Sequence, residues 1–406
     1  MPIRNRRRHF HPPHDRTDRI NMNFDSITVE TARRSRGLKW TRYGRDVIPS
    51  WIADMDFPVA RPISELLRSL ADSGDLSYAP AMPQEPLAEL FASRMRSRYG
   101  WTPDPAGFDS MTDIVQAIYI AVAALCDEDQ QVIIHTPTYH PILTACRKMN
   151  REMVFSPLRR SDRGWQIDFD HLLDCMGPRS RMLLLVNPHN PSGKAFRRDE
   201  LESLAEIVLR HDLVVVSDEI HCDLTYSDAG PHVPFASISE EMAKRTVTFN
   251  SATKSHNMGG VRCAIAHYGS EDLRRRFDRF PEGMRGGSNA IGHRATRIAW
   301  EQCDDWLDYT VRYLEGNRGY FAKFVECELP GLRHLRNEST FLAWVDCREL
   351  GLEEDPAGFF LRQAKVGAYS GAQFGPDGAG FIRMNFATSR SILSEKLERM
   401  ATALRR

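Results

Sequence analysis

Four short clusters in this sequence carry side chains that can do chemistry, and each sits at the end of, or within, an apolar run. The first is Asn187-Pro-His-Asn190-Pro-Ser-Gly-Lys194, directly after Met182–Val186 (MLLLV). Its prolines and glycine fix a turn, and amide side chains on such a turn can hold a polar ligand; a plain structural loop is the alternative. The second is Ser217-Asp218-Glu-Ile-His221, after Leu213–Val216 (LVVV). An aspartate at a buried strand end is costly unless it meets a cation or hydrogen-bond donors, or else caps a following helix. The third runs Ser251-Ala-Thr253-Lys254-Ser-His-Asn-Met-Gly-Gly-Val-Arg262, after Thr246–Phe249 (TVTF). Only 8 lysines stand against 46 arginines in the chain, so a lysine in this small, hydroxyl-rich setting stands out, although surface lysines are the ordinary case. The fourth is Arg383-Met-Asn385 within the apolar run Gly380–Phe386. A buried arginine there needs a carboxylate or phosphate, supplied by a ligand or by a structural ion pair.

These clusters need a scaffold that brings strand ends together. The runs Gln131–His135, Met182–Val186, Leu213–Val216 and Thr246–Phe249 read as short strands buried on both faces. Amphipathic stretches at Ile114–Leu125, Ile142–Met149 and Arg198–His211 alternate with them, which predicts an α/β fold with a mostly parallel central sheet covered by helices. Ligands of such sheets bind beyond the carboxyl ends of the strands, where the first three clusters lie. After about residue 300 the pattern changes to a charged helix Trp306–Glu328, a run Ser339–Val345, a helix Asp355–Gln363, the run Gly380–Phe386 and a last helix from Ser391. The expected organisation is a disordered basic extension over 1–20 and an N-terminal segment over 21–65 that packs with the small domain. A large domain over 66–304 and a small C-terminal α/β domain over 305–406 complete the chain.

Composition removes several functions. The 54 basic and 54 acidic side chains of the 406 residues cancel, so no net field favours nucleic acid or anionic membrane. No apolar stretch is long enough for a membrane-spanning helix. The eight cysteines are scattered without a C-x-x-C pair, which predicts reduced thiols in a cytoplasmic protein and no metal site.

In order and spacing the four clusters resemble the motifs of fold-type I pyridoxal-phosphate (PLP) enzymes, the aspartate aminotransferase-like, class I/II aminotransferase superfamily. The resemblance covers nearly everything after Met22. It is closer to the MalY/PatB-like cystathionine β-lyase (C–S lyase) branch, through Leu38-Lys-Trp40, Trp51-Ile-Ala-Asp-Met-Asp-Phe57, His135-Thr-Pro-Thr-Tyr139, His221 and Ser339-Thr-Phe-Leu-Ala-Trp344. The resemblance implies a role for each of the candidate site residues. Lys254 would carry the cofactor aldehyde as a Schiff base, which requires a lysine whose pKa its site lowers. Asp218 would pair with the pyridine nitrogen and make the ring an electron sink. Asn190 and His221 would bond the ring's 3′ oxygen, and Tyr139 would stack on the ring. The phosphate would meet the helix N-terminus at Ile114 and Val115, with Ser251, Thr253 and Arg262. Asp113 departs from that pattern, and its backbone N–H rather than its carboxylate is expected to face the phosphate. Arg383 would grip the substrate α-carboxylate, helped by Asn190 and the backbone near Ala53. Tyr78 would reach the neighbouring site across a homodimer interface, near which Ser288 and Asn289 would also lie. The implied activity is β-elimination of a thiol from a cysteine S-conjugate, cystathionine-like or a bulkier thioether of specialised metabolism. Aminotransfer, decarboxylation-coupled deamination and a purely regulatory cofactor-binding role are the alternatives.

Overall fold

The computed structural model describes residues 22–74, 85–161, 164–286 and 289–405. The basic extension over 1–20, Tyr78 and Ser288 lie outside the described residues. The strands, in chain order, are β1 (Ile48–Pro49), β2 (Phe108–Met111), β3 (Gln131–Thr136), β4 (Glu152–Ser161), β5 (Gly164–Ile167), β6 (Ser180–Val186) and β7 (Val214–Asp218). They continue with β8 (Thr246–Asn250), β9 (Ala264–Tyr268), β10 (Arg333–His334), β11 (Leu342–Asp346), β12 (Val366–Gly367), β13 (Tyr369–Ser370) and β14 (Phe381–Asn385).

Eight of these form the central sheet in the order β2-β9-β8-β7-β6-β3-β4-β5. The run β8-β7-β6-β3-β4 is parallel throughout, whereas β9 is antiparallel to both its neighbours and β5 to β4. Why the inner strands read as unbroken apolar runs is visible in β6. Met182, Leu184 and Val186 join the core under helices Ile114–Leu125 and His140–Lys148, while Leu183 and Leu185 join the opposite core under Arg198–Arg210. Successive side chains point to opposite faces, and here both faces are covered. The fold is therefore the mostly parallel sheet covered by helices that the alternation of runs predicts.

The C-terminal region has its own antiparallel sheet, β10-β11-β14-β13, packed with helices Asp304–Glu328 and Arg390–Leu404. Arg383 of β14 sits between Trp344 of β11 and Tyr369 of β13 in register. The strand in Ser339–Val345 is shorter than the apolar run, starting at Leu342, because Thr340 adopts a left-handed φ of 62° and breaks the extended backbone. Apolar patterning does not predict the antiparallel strands β2 and β9. Their sequences, FDSM and AIAHY, mix polar residues into short runs, and pairing with each other and with β8 decides their state.

The N-terminal segment is tied to this second sheet. β1 pairs in parallel with β12, and Phe24 stacks on Phe57 at 4.0 Å with its edges against Tyr309 and Tyr313 of the long helix. Asn385 then lashes the segment over the strand ends, donating from Nδ2 to the carbonyls of Ile52 (2.6 Å) and Asp54 (2.7 Å). This strap carries Trp51, Ile52 and Ala53 to the carboxyl edge of the central sheet.

Candidate active site

Three adjacent parallel strands end side by side, and each delivers one polar side chain. β6 runs into the loop with Asn190, β7 terminates on Asp218, and β8 runs into the short helix Ala252–Ser255 with Lys254. β3 leads to Tyr139 at the head of helix His140–Lys148, and the helix Ile114–Leu125 begins beside them. Together with Arg383 from the smaller sheet and Ala53 from the strap, these residues line one cavity of about 500 Å³. Ile114, Val115, His221, Ser251, Thr253 and Arg262 line the same cavity, and so does Asp113. All the described candidates for cofactor and substrate binding thus lie in one place. Asn289 stands apart from them, capping helix Ala290–Gln302 and donating to the Val261 carbonyl at 2.6 Å.

The electrostatics of this cavity are unusual in having charges without counter-charges. Asp218 is 3% exposed and accepts a hydrogen bond from the Ile220 N–H at 3.2 Å. Burial, with Glu219 nearby and Lys254 opposing, pushes its carboxyl up to about 7. No salt bridge reaches it among the described residues, so it is a buried carboxyl without a direct ion pair, under only the more distant influence of Lys254. Lys254 is likewise enclosed, and burial lowers its pKa, which favours the neutral amine. Its Nζ donates to the Ala53 carbonyl at 2.8 Å. Arg383 is 2% exposed, and burial brings even this guanidinium down to about 10. Nη1 donates to Asn190 Oδ1 (3.0 Å) and Nη2 to the Trp51 carbonyl (2.9 Å), both neutral acceptors. No carboxylate pairs with it among the described residues. A charge held this way is costly until an anion arrives.

The remaining candidates supply shape and donors. Burial raises the Tyr139 hydroxyl to about 12, keeping it a neutral phenol, and lowers His221 to about 3, keeping it a neutral imidazole. His221 Nδ1 is buried without a hydrogen-bond partner among the described residues. Ser251 Oγ lies 2.8 Å from Thr253 Oγ1 and donates to the Cys263 carbonyl at 2.6 Å. The carboxylate of Asp113 caps the helix, its Oδ1 accepting from the Gln116 N–H at 2.9 Å, while Oδ2 accepts from Arg262 Nη1 at 2.8 Å. The first-turn amides of Ile114 and Val115 have no partner inside the helix and stand at the positive end of its dipole.

A family model for aminotransferases of class I and II matches residues 59–404. The chain belongs to the aminotransferase class I and II family. Over 391 residues it is 32% identical to cystathionine beta-lyase PatB of Bacillus subtilis (strain 168), a match covering 94% of this chain and 100% of that protein. Among solved structures it is similar to OvoB, with 39% identity and a TM-score of 0.87 over 92% of this chain and 97% of that one. It is also similar to the PLP-bound C-S lyase from Staphylococcus hominis, at 30% identity and a TM-score of 0.86 over 94% and 98%.

Two residues of this class I and II aminotransferase site are not among those the sequence motifs single out. His140 and Tyr369 line the cavity, with Tyr369 OH 3.2 Å from His140 Nε2, and the Tyr369 ring lies 5.1 Å from the Arg383 guanidinium carbon. His140 follows Tyr139 directly, and that adjacency is a usable signal. Tyr369 sits on a two-residue strand, and nothing in the sequence around it marks it.

Proposed function

We propose that this chain is a PLP-dependent C–S β-lyase that takes a cysteine S-conjugate and water to a thiol, pyruvate and ammonium. The observation that carries this reading is the set of three unmatched ionisable groups in one cavity: Asp218, Lys254 and Arg383. Each finds its missing partner in that cofactor and substrate. The fit holds on three counts. A buried carboxyl without a cation suits a protonated pyridine nitrogen, a lysine with a lowered pKa suits an aldehyde, and free first-turn amides suit a phosphate. The cavity volume of about 500 Å³ also falls in the range of small-molecule sites.

When bound, PLP supplies an aldehyde for the substrate amine and a ring that accepts the electron pair left when the substrate loses its Cα proton. Lys254 Nζ would hold the cofactor aldehyde, and its amine, kept neutral by burial, would serve as the general base for the Cα proton. Asp218 would pair with the protonated ring nitrogen. Asn190 orients the Arg383 guanidinium through Oδ1, and Arg383 presents its planar fork to the α-carboxylate. Tyr139 would pack on the ring, and His221, held neutral, would offer its unpartnered Nδ1 to the ring oxygen. The strap at Trp51–Ala53 excludes water above Lys254. Support for elimination rather than aminotransfer comes from the PatB and C-S lyase relatives and from the branch motifs at both ends of the strap.

The test is to incubate the purified protein with a cysteine thioether and no keto acid. Thiol and pyruvate in equal amounts are expected, and Lys254→Ala should lose both turnover and the yellow cofactor absorbance. A carbonyl product that appears only after a keto acid is added would make the protein an aminotransferase instead.

A further inference from the structure

The phosphate end of the cavity contains an acid where an anion is to be held. Asp113 caps the helix whose N-terminus faces that end, and the same carboxylate engages Arg262 at 2.8 Å. Among the described residues lining the cavity, Arg262 is the cation at this end, since Lys254 and Arg383 serve other parts of the site. The neighbouring Arg285 is already committed, lying 3.0 Å from Asp109 and 2.9 Å from Asp278. We propose that Asp113 is a resident counter-anion that weakens the cradle's hold on the cofactor phosphate, so that cofactor is exchanged rather than permanently retained. This rests on the cofactor reading of the site.

Two effects of the carboxylate oppose each other, and their sizes decide the sign. By pairing with Arg262 it could pre-position the guanidinium. In that pair Arg262 is exposed at 61%, while Asp113 is half-buried at 30%. Exposed ion pairs change equilibria by at most about fivefold. Against this stands direct repulsion between the carboxylate and a phosphate held at the Ile114 and Val115 amides, the residues next to Asp113 in the same cavity wall. In a half-buried site each such charge alters binding by about tenfold or more, even with partial screening by salt. Repulsion wins. The pair leaves the cradle with no net charge of its own, and the phosphate relies on the Ile114 and Val115 amides, because the Ser251 hydroxyl already donates to the Cys263 carbonyl and lies against Thr253 Oγ1. The capping bond to Gln116 explains why an acid is tolerated there at all, because aspartate is among the best N-caps.

The experiment compares cofactor uptake by the full-length, cofactor-free wild type and Asp113→Asn, titrated with PLP and followed by absorbance and by protein fluorescence. Asparagine keeps the cap and removes the charge, and Asp113→Ser, also a cap, repeats the test should Asp113→Asn fold poorly. The expected result is about tenfold tighter PLP binding in both variants, with slower loss of cofactor on dilution. Inorganic phosphate should likewise raise the melting temperature of the cofactor-free Asp113→Asn chain more than that of wild type. Arg262→Gln should weaken binding in both backgrounds. Unchanged or weaker binding by Asp113→Asn would overturn the proposal and make Asp113 a positioning residue for Arg262 or a cap alone. If wild type takes up no PLP, or Lys254→Ala takes it up with the wild-type spectrum, the cofactor reading itself fails.

Discussion

Two aspartates, Asp218 and Asp223, lie on either side of one turn, both buried, and their environments drive them in opposite directions. Burial raises both. At Asp223 that effect is outweighed by Arg94 and Arg98, which hold its carboxyl well below the usual range. Arg94 Nη2 reaches it at 3.0 Å, Tyr99 OH donates to it at 2.5 Å, and Arg94 also pairs with Asp304 at 2.9 Å. Asp218 has the Ile220 N–H and no cation, and rises to about 7. The two arginines differ in the same sense. Burial acts on both, yet Arg94 is shifted upward by Asp223 while Arg383 falls to about 10. Burial alone therefore does not mark a functional charge. A buried charge whose partner is already in the chain is architecture, and one whose partner is missing and which also lines a cavity is a candidate for ligand binding.

The largest effect that separates these two kinds of charge is expected at Asp223. Asp223→Asn takes the buried anion from Arg94 and leaves it the half-exposed Asp304 at 2.9 Å; removing one partner of a buried pair typically costs about 3–5 kcal/mol, and Asp304 holds the loss toward the lower end. Denaturant unfolding should show that loss, while turnover per folded molecule stays near normal. Asp218→Asn should do the reverse. Stability is retained or increased, but kcat falls by about 10²–10³-fold, the range for removing one preorganised electrostatic group. If Asp218→Asn keeps near-normal kcat with cofactor bound, another group protonates the ring.

Arg383→Ala should lower kcat/KM by at least ~30-fold, because losing one partner of a desolvated charge pair costs about 2–5 kcal/mol. Arg383→Lys should rescue poorly, since an ammonium cannot reproduce the fork. Cofactor absorbance should stay nearly normal in both, and decarboxylated amines should be poor substrates of wild type. Equal reactivity of amine and amino acid would remove Arg383 from substrate binding.

The smallest effect is a pH slope in the cofactor-free chain. Asp218 has a folded pKa of about 7 against an ordinary 3.8, so between those values the folded state keeps a proton that the unfolded chain has released. Its contribution to stability therefore falls as pH rises through that window, by up to about 1.4 kcal/mol per pH unit. Asp223, shifted down, contributes fully above 3.8 and loses its contribution only as pH falls below that. Buried histidines such as His135 and His189, lowered by burial, pull the absolute curve the other way below 6.5. The readout is thus the difference between wild type and Asp218→Asn. Identical pH dependence in the two would show that Asp218 finds a cation even without cofactor.

The parallel core and the position of its strand ends are legible in the apolar pattern of the chain. Runs such as MLLLV are buried on both faces of a covered sheet, and a chain can hide that many consecutive apolar residues in few other ways. The same pattern marks which side chains could meet a ligand, because Asp218 and Lys254 directly follow such runs. The antiparallel β9, the short start of β11 and the two-residue β13 are not legible, since their state depends on partners remote in the chain. Which charges are matched emerges only on folding. The apolar runs single out Asp218 and Arg383, but nothing local shows that their charges are unmatched while those of Asp223 and Arg94 are matched. Arg94 and Asp304 come from helices far apart in sequence, and among the described residues Arg383 donates to the carbonyl of Trp51 and the amide oxygen of Asn190 and lies over the Tyr369 and Phe374 rings. Electrostatic compensation is a property of neighbours in space, and the fold assigns those neighbours.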